Sequence, residues 1–237
     1  MNKKTFTEET FDNAFRSKKT ENYSFELKKL NRRDKQIVKN LTSFKIEGKR
    51  CLDIGPGTGR WLKFLKEKNA SYLAAIDISS EALKKVELFC DFSEKVDVEN
   101  ESLSFKNNSF DVIISFMVLE HIRDPQNYIS EIMRVAKEDA IILISIPNIV
   151  SFTSRIRVLL GRLPKAVSSD KTHVKYYTEK ELVKMFKPYN VKPIILPTSI
   201  ILNPFGSKPQ LRVTSNRFTK SLDDHLLFKI NKNISKS

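Results

Sequence analysis

The chain has 237 residues, 40% apolar and 30% charged, with a formal net charge of +14. That is one domain with additions or two small ones, long enough for a large core, and the balance excludes a disordered or fibrous protein. The longest nearly apolar run, Ala140 to Pro147, is far below the ~20 residues of a membrane span. The opening MNKKTFTEETF has no apolar stretch after its lysines, so no signal peptide is expected. Two cysteines, Cys51 and Cys90, cannot staple a chain of this size and read as reduced thiols of a cytoplasmic protein. The charge is uneven: +7 over residues 1–50, −5 over 51–150 and +12 over 151–237. A basic end attracts nucleic acid, a membrane surface or a small anion, or simply keeps the surface soluble. No arginine-rich run interleaved with aromatics marks a nucleic-acid binder.

The first ~20 residues are polar and read as loose. Leu27, Leu30, Ile37, Val38 and Leu41 then fall on one helical face. Cys51 to Ile54 reads as a strand ending in glycines, followed by a helix with Trp61, Leu62, Phe64 and Leu65 inward. Tyr72 to Ile78 is a second strand. Ser79 or Ser80 caps a helix that buries Ala82, Leu83, Val86 and Phe89. A weak third strand surrounds Val96 and Val98, and a strong one runs from Phe110 to Leu119. Asp124 and Pro125 read as cap and first residue of a helix through Ala136. Ala140 to Ile146 is another buried strand. Strands apolar on both faces, alternating with helices, predict an α/β fold with a mainly parallel sheet covered on both sides.

Beyond Pro147 the rhythm changes. Ile149 to Leu160 reads as helical, with Arg155 and Arg157 among apolar residues, and Gly161 to Lys171 as loop. Thr178 and Glu181 form a capping box for a helix with Leu182, Val183 and Phe186 inward. Ile194 to Pro197 and His225 to Ile230 are strand candidates, and Pro197 to Ser221 reads as loop or lid.

The segment CLDIGPGTGRW, Cys51 to Trp61, is the informative one. Gly55, Gly57 and Gly59 sit at a strand-to-helix turn, where glycine allows positive φ and close approach of a ligand. The dinucleotide fingerprint needs a glycine at the sixth position, which here is Arg60, so a nicotinamide oxidoreductase is disfavoured. Asp77 closes the next strand 22 residues after Gly55. In a right-handed βαβ unit it stands beside the glycine loop, placed to accept hydrogen bonds from a ribose diol.

The ordered series Asp53-Ile54-Gly55-Pro56-Gly57-Thr58-Gly59, Asp77, Phe110-Asp111-Val112-Ile113 and Leu119-Glu120-His121-Ile122 resembles the class I S-adenosylmethionine-dependent methyltransferases. The likeness is to the UbiE/UbiG-like branch that acts on small molecules or glycans. It is close over about residues 45–150 and looser over 170–195. It implies a Rossmann-like class I methyltransferase fold with a mostly parallel seven-stranded sheet and helices on both faces. The implied division is an N-terminal helical extension or cover, 1–45, and a methyltransferase domain, 46–237, with acceptor-site or lid insertions at 148–222.

The resemblance also implies roles. Asp53 orients the loop near the methionyl amine. Gly55, Pro56, Gly57 and Gly59 form the loop, which approaches the methionyl and ribose parts. Asp77 takes the ribose hydroxyls and Ile78 packs on adenine. Asp97 or Glu99 meets the adenine amino group, with Asp97 preferred as the end of the third apolar run. Phe116 lies beside the cofactor; ordinary core packing is the other reading for Ile78 and Phe116. The chain departs from the family at Lys137-Glu138-Asp139-Ala140, where a Pro-Gly-Gly turn is usual.

For the chemistry, His121 stands where the acceptor is expected, and pairing with Glu120 would raise its basicity. His173 is a second candidate for the acceptor pocket; ordering the local loops is the alternative role for both. His225 reads as structural. No metal site is expected, since neither cysteine has a partner at C-x-x-C spacing. Arg155 and Arg157 are candidate acceptor residues, favouring an anionic or amphiphilic acceptor methylated at oxygen. The apolar residues between them suit a lipid tail, a peripheral membrane contact, or a lid helix packed on the sheet. RNA as acceptor and a non-catalytic cofactor-binding module are the alternatives. Neither oligomeric state nor acceptor identity is legible.

Overall fold

The computed structural model describes residues 6–16, 30, 32–168, 170–196, 200–202, 211–213 and 225–232. Its centre is a seven-stranded sheet built from β1 (Arg50–Ile54), β2 (Tyr72–Asp77), β3 (Phe92–Lys95), β4 (Phe110–Phe116), β5 (Ala136–Pro147), β6 (Ile194–Ile195) and β9 (His225–Asn231). The spatial order is β3-β2-β1-β4-β5-β9-β6, and β9 runs antiparallel to both of its neighbours. The order reverses direction between β1 and β4, and at such a switch point the carboxyl ends of the strands open a crevice. Register brings those ends level: Ile54 pairs with Ile76 on one side and Ser115 on the other.

Helices cover both faces. One core packs α5 (Gln126–Val135) and α8 (Glu179–Phe186) on the sheet through Tyr128, Ile129, Ile132, Leu182 and Phe186. The other packs α2 (Arg32–Leu41), α3 (Arg60–Glu67) and α4 (Ser80–Val86) through Ile37, Leu41, Trp61, Leu62, Leu65 and Val86. On α3, Trp61, Leu62, Phe64 and Leu65 recur at the helical repeat, so one face is apolar and buried. Thr178 and Glu181 make the expected capping box of α8: Thr178 Oγ1 accepts from the Glu181 amide, and a Glu181 carboxylate oxygen accepts from the Thr178 amide at 2.7 Å.

Several sequence expectations need correction. The opening residues are not wholly loose, since Phe6–Arg16 forms helix α1. The helix predicted around Leu27 to Leu41 is described as α2 from Arg32 on; Leu27 lies outside the described residues. The third strand is Phe92–Lys95, so Val96 and Val98 follow it. β4 stops at Phe116, because Met117 takes a left-handed φ of 62° and Leu119–His121 turns into a 3₁₀ helix. No turn occupies Lys137 to Ala140. β5 starts at Ala136, and its pairing with β4 slips from Phe110↔Ala136 to Val112↔Ile141, so the residues between bulge. Lys137 Nζ donates to both Asp111 carboxylate oxygens at 3.0 Å across this bulge. The loop read at Gly161 to Lys171 contains the short helix α7 (Lys165–Ser168). Within the loop or lid read at Pro197 to Ser221, β7 (Ile200–Leu202) pairs antiparallel with β8 (Leu211–Val213); Pro197 and Ser221 themselves lie outside the described residues.

Candidate active site

A cleft of about 430 Å³ opens at the carboxyl ends of β1, β2 and β4. Its floor is the glycine loop after β1, where Gly55, Gly57 and Gly59 have φ of 72°, 56° and 80°. A β-carbon on Gly55 would run into a Val118 methyl group. Gly55 N donates to Ile76 O at 2.8 Å, which ties the loop to the end of β2.

Asp77 stands at that end and lines the cleft. It accepts from the backbone amides of Ser79 (2.8 Å), Gly57 and Ile78. Burial nevertheless dominates and pushes its pKa up to about 6. Asp53 lies beneath the loop, 1% exposed, with Oδ2 lacking any hydrogen-bond partner among the described residues. Burial, and then the charge of Asp77, raise its pKa well above the usual carboxylate range. An orphaned buried oxygen costs about 1–3 kcal/mol, so a donor supplied by a ligand would relieve it. The cleft, a cradle that only glycine fits, and two carboxylates with no cationic partner among the described residues suit a ligand with hydroxyl and ammonium donors.

Ile78, Asp97 and Glu99 line the same cleft. Asp97 accepts from the Glu99 amide at 3.1 Å and from Asn100 Nδ2 at 2.9 Å, while Glu99 Oε1 accepts from the Asp124 amide at 2.9 Å. Phe116 does not line it. Its ring packs edge-on against Trp61 at 5.3 Å in the core below, and the reversal at Met117 brings Met117 and Val118 to the cleft instead. Pro56 and Gly59 belong to the loop but not to the cleft wall. Gly59 serves packing: its missing β-carbon would lie 2.8 Å from Val86 Cγ1.

At the rim, His121 lines the cleft. Its Nδ1 is 3.0 Å from Thr172 O, a carbonyl that only accepts, so Nδ1 carries the proton and Nε2 the lone pair. The expected pairing with Glu120 does not form, and burial lowers the His121 pKa instead of raising it. Glu120 faces His173 with Oε1 3.9 Å from Nε2, and His173 Nδ1 donates to Ala166 O at 2.9 Å. Both Glu120 carboxylate oxygens are buried without a hydrogen-bond partner among the described residues, and burial pushes its pKa up to about 8. His173 is therefore behind the rim and not part of the cleft wall. Glu120, His121 and His173 each offer a ligand atom within 4.8 Å of the others, close enough to share a metal ion. Cysteine spacing does not bear on this trio, so the expected absence of a metal site does not extend to it.

Arg155 and Arg157 are not brought into the cleft. They sit on α6 (Phe152–Leu159), where their Nε atoms donate to Val150 O (2.9 Å) and Leu163 O (2.7 Å). His225 is in β9, opposite Pro147.

Sequence reasoning did not single out the residues that roof the cleft. Thr7, Phe11 and Phe15 of α1 line it from above. The Phe11 ring meets His121 edge-on at 5.0 Å, and Phe15 lies over Gly57. Acidic residues seat this helix: Glu8 pairs with Lys95 at 2.7 Å, and Asp12 accepts from Ser79 Oγ at 2.7 Å and from the Glu81 amide at 3.2 Å. Phe11 and Phe15 at i, i+4 were the available signal, but the polar make-up of the first ~20 residues read as loose.

The model of a methyltransferase domain family matches residues 27–194. The chain belongs to that family. S-adenosylmethionine is the cofactor this methyltransferase domain implies, and Asp77 on the cleft wall with Asp53 buried beneath the glycine loop fits it. Similar chains include a ubiquinone biosynthesis O-methyltransferase of Neisseria meningitidis, 26% identical over 109 residues, 44% of this chain and 46% of the relative. A Methanocaldococcus jannaschii protein of uncharacterized function is 32% identical over 60% of this chain and 61% of its own. The methyltransferase domain thus matches less than two thirds of the length of these relatives. In fold, it resembles a SAM-dependent methyltransferase from Archaeoglobus fulgidus with a TM-score of 0.63 at 20% identity, covering 88% of this chain and 98% of the other. The expected seven-stranded, mostly parallel architecture stands.

Proposed function

We propose that this protein transfers a methyl group from S-adenosylmethionine to a hydroxyl of an anionic or amphiphilic small molecule or glycan. The observation that carries the reading is one continuous cleft with Asp77 and the glycine loop at its floor and a neutral histidine at its rim. Asp77 takes the ribose hydroxyls, Asp53 sits nearest the methionyl amine, and Ile78 with Asp97 or Glu99 frames the adenine. Removing a charged partner such as Asp77 costs roughly 1.5–3 kcal/mol.

When bound, the cofactor supplies a methyl carbon already activated by its sulfonium. The protein's part is alignment and proton handling. Orientation of two reactants is worth up to roughly 7–11 kcal/mol. His121 Nε2 holds the lone pair that receives the acceptor's hydroxyl proton, and Nδ1 is held by Thr172 O so that the ring keeps this tautomer. Phe11 and Phe15 exclude water from above, which makes residues 6–16 the cover of the site. His173 braces the rim through Glu120 and Ala166.

Methylation at oxygen is supported by the name of the Neisseria relative. A demethylmenaquinone methyltransferase of Tropheryma whipplei, 28% identical over 56% of this chain, also places quinone-related chemistry among the relatives. Arg155 and Arg157 lie on α6 outside the cleft, and their position beside exposed apolar residues favours an acidic, partly apolar acceptor on its approach to the cleft and not within it. The test is methyl transfer to prenylated aromatic acids and acidic sugars, followed by mass spectrometry. The expected result is turnover whose KM rises several-fold in Arg155→Ala/Arg157→Ala. An unchanged KM for an acidic acceptor overturns the charge argument.

A further inference from the structure

Helix α6 does not bury its apolar residues. Its one buried member is Ser154, whereas Leu159 is 80% exposed, Leu160 67% and Leu163 61%. Seven of the ten exposed large apolar side chains among the described residues fall between Val150 and Leu163. A lid helix packed on the sheet, one of the readings open from sequence, would show the opposite. Ordinary soluble surfaces scatter such residues singly; a contiguous group marks a contact surface.

The chemistry of the same segment narrows the contact. Arg155, Arg157, Arg162 and Lys165 are interleaved with the apolar residues, and no acidic residue occurs from Ala140 to Ser169. Arg155 and Arg157 place their Nε atoms on local carbonyls, and no carboxylate lies within ion-pair distance of Arg155, Arg157 or Arg162 among the described residues. Gly161, at φ 67°, ends the helix, with Arg162 N donating back to Arg157 O at 2.8 Å. This turn presents Leu159, Leu160 and Leu163 together at one tip. Apolar residues that enter the acyl boundary, flanked by arginines that stay at the headgroups, are the composition of a helix lying in a membrane interface. A second copy of this face would bring its arginines against like charges, and an RNA would leave the leucines in water.

We infer that the Val150–Leu163 face docks this protein on an anionic lipid bilayer. The face follows β5 at the carboxyl edge of the sheet, and α7 beyond it is tied by Ala166 O to His173 behind the cleft rim. Docking would therefore hold the acceptor side of the cleft near the headgroups. The inference goes beyond the transfer reaction, since binding is read without cofactor or acceptor.

The test is cosedimentation of the full chain with vesicles of equal parts phosphatidylglycerol and phosphatidylcholine, and with phosphatidylcholine alone, at low and high salt. The expected result is pelleting with the anionic vesicles, weaker with neutral ones. Leu159→Asp/Leu160→Asp is expected to reduce it at least about tenfold. Both positions are exposed, so this variant is expected to keep its thermal midpoint and its S-adenosylhomocysteine binding. Absence of pelleting by the wild type overturns the inference. Pelleting that salt abolishes but the double variant leaves intact also overturns it, because the attraction then comes from basic residues elsewhere. So does a vesicle-free dimer, seen by sedimentation velocity, that the double variant dissociates.

Discussion

The Asp12 carboxylate accepts the Ser79 hydroxyl at 2.7 Å, joining two residues 67 positions apart and both buried. Ser79 Oγ in turn accepts from the Ala82 amide as the cap of α4, and Asp12 also accepts from the Glu81 amide. The N-terminal helix thus supplies an anion to the positive end of α4, immediately after Asp77. Lys85 donates to Phe15 O, and Glu8 holds Lys95, so α1 is fastened at both ends over the cleft.

Asp12→Ala removes the anion and leaves the α4 donors short of a partner. A lost cap of this kind costs about 0.5–2 kcal/mol. The expected outcome is a thermal midpoint lower by a few degrees and faster proteolysis near residues 6–16. Cofactor affinity should weaken, since the roof no longer seats. An unchanged proteolysis pattern would show that other contacts alone hold α1.

Asp77 gives a signed pH dependence. Its folded pKa, about 6, lies above its ordinary 3.8, so the folded protein binds the extra proton between those values. Stability attached to this group is full below about pH 4 and is lost as pH rises through 6. Relative to the wild type, cofactor-free Asp77→Asn should therefore gain up to on the order of 3 kcal/mol between pH 4 and pH 7. Cofactor affinity should move the other way and fall below pH 6, because the protonated carboxyl accepts ribose hydroxyls poorly. Denaturant titrations and calorimetry across this range check both signs.

Glu120 behaves alike over a higher window. Burial raises its pKa from 4.5 to about 8, and neither carboxylate oxygen has a hydrogen-bond partner among the described residues. Its contribution to stability is lost as pH rises from about 5 through 8. Glu120→Gln should be close to neutral at pH 5 and increasingly stabilising toward pH 9, by up to on the order of 4 kcal/mol. A pH-independent difference would mean that the carboxyl is already ionised and paired in solution.

Much of this architecture was legible in the sequence because the signals were local. Leu52 and Ile54 before a glycine turn, and Thr178 with Glu181, act within a few residues of themselves. Asp77 was legible as well, since strand length and βαβ handedness fix where a strand ends. What escaped reading depends on distant partners. Glu8 and Asp12 are acidic residues at 6% and 1% exposure, received by partners such as Lys95 and Ser79 far along the chain. For Phe116 the sequence leaves the cleft and the core both open, because nothing local announces the φ reversal at Met117. The Glu120–His121 pairing failed for a similar reason: Thr172, 51 residues away, takes the imidazole. The exposed leucines of α6 read equally well as a packed face until burial was known.

His121→Ala should lower kcat by about 10²–10⁴ with little change in S-adenosylhomocysteine affinity. Because burial lowers its pKa from 6.5, the acid limb of the wild-type profile should lie below that value and vanish in the variant. A variant retaining wild-type kcat would reassign the residue to bracing the rim.

The most direct test of the whole account is calorimetric titration of the purified chain with S-adenosylmethionine and S-adenosylhomocysteine, alongside Asp77→Ala. Binding of both ligands at one site, weakened roughly 10- to 150-fold in the variant, is the predicted result. Binding that survives Asp77→Ala unchanged, or no binding at millimolar ligand, would contradict the assignment of this cleft to the cofactor.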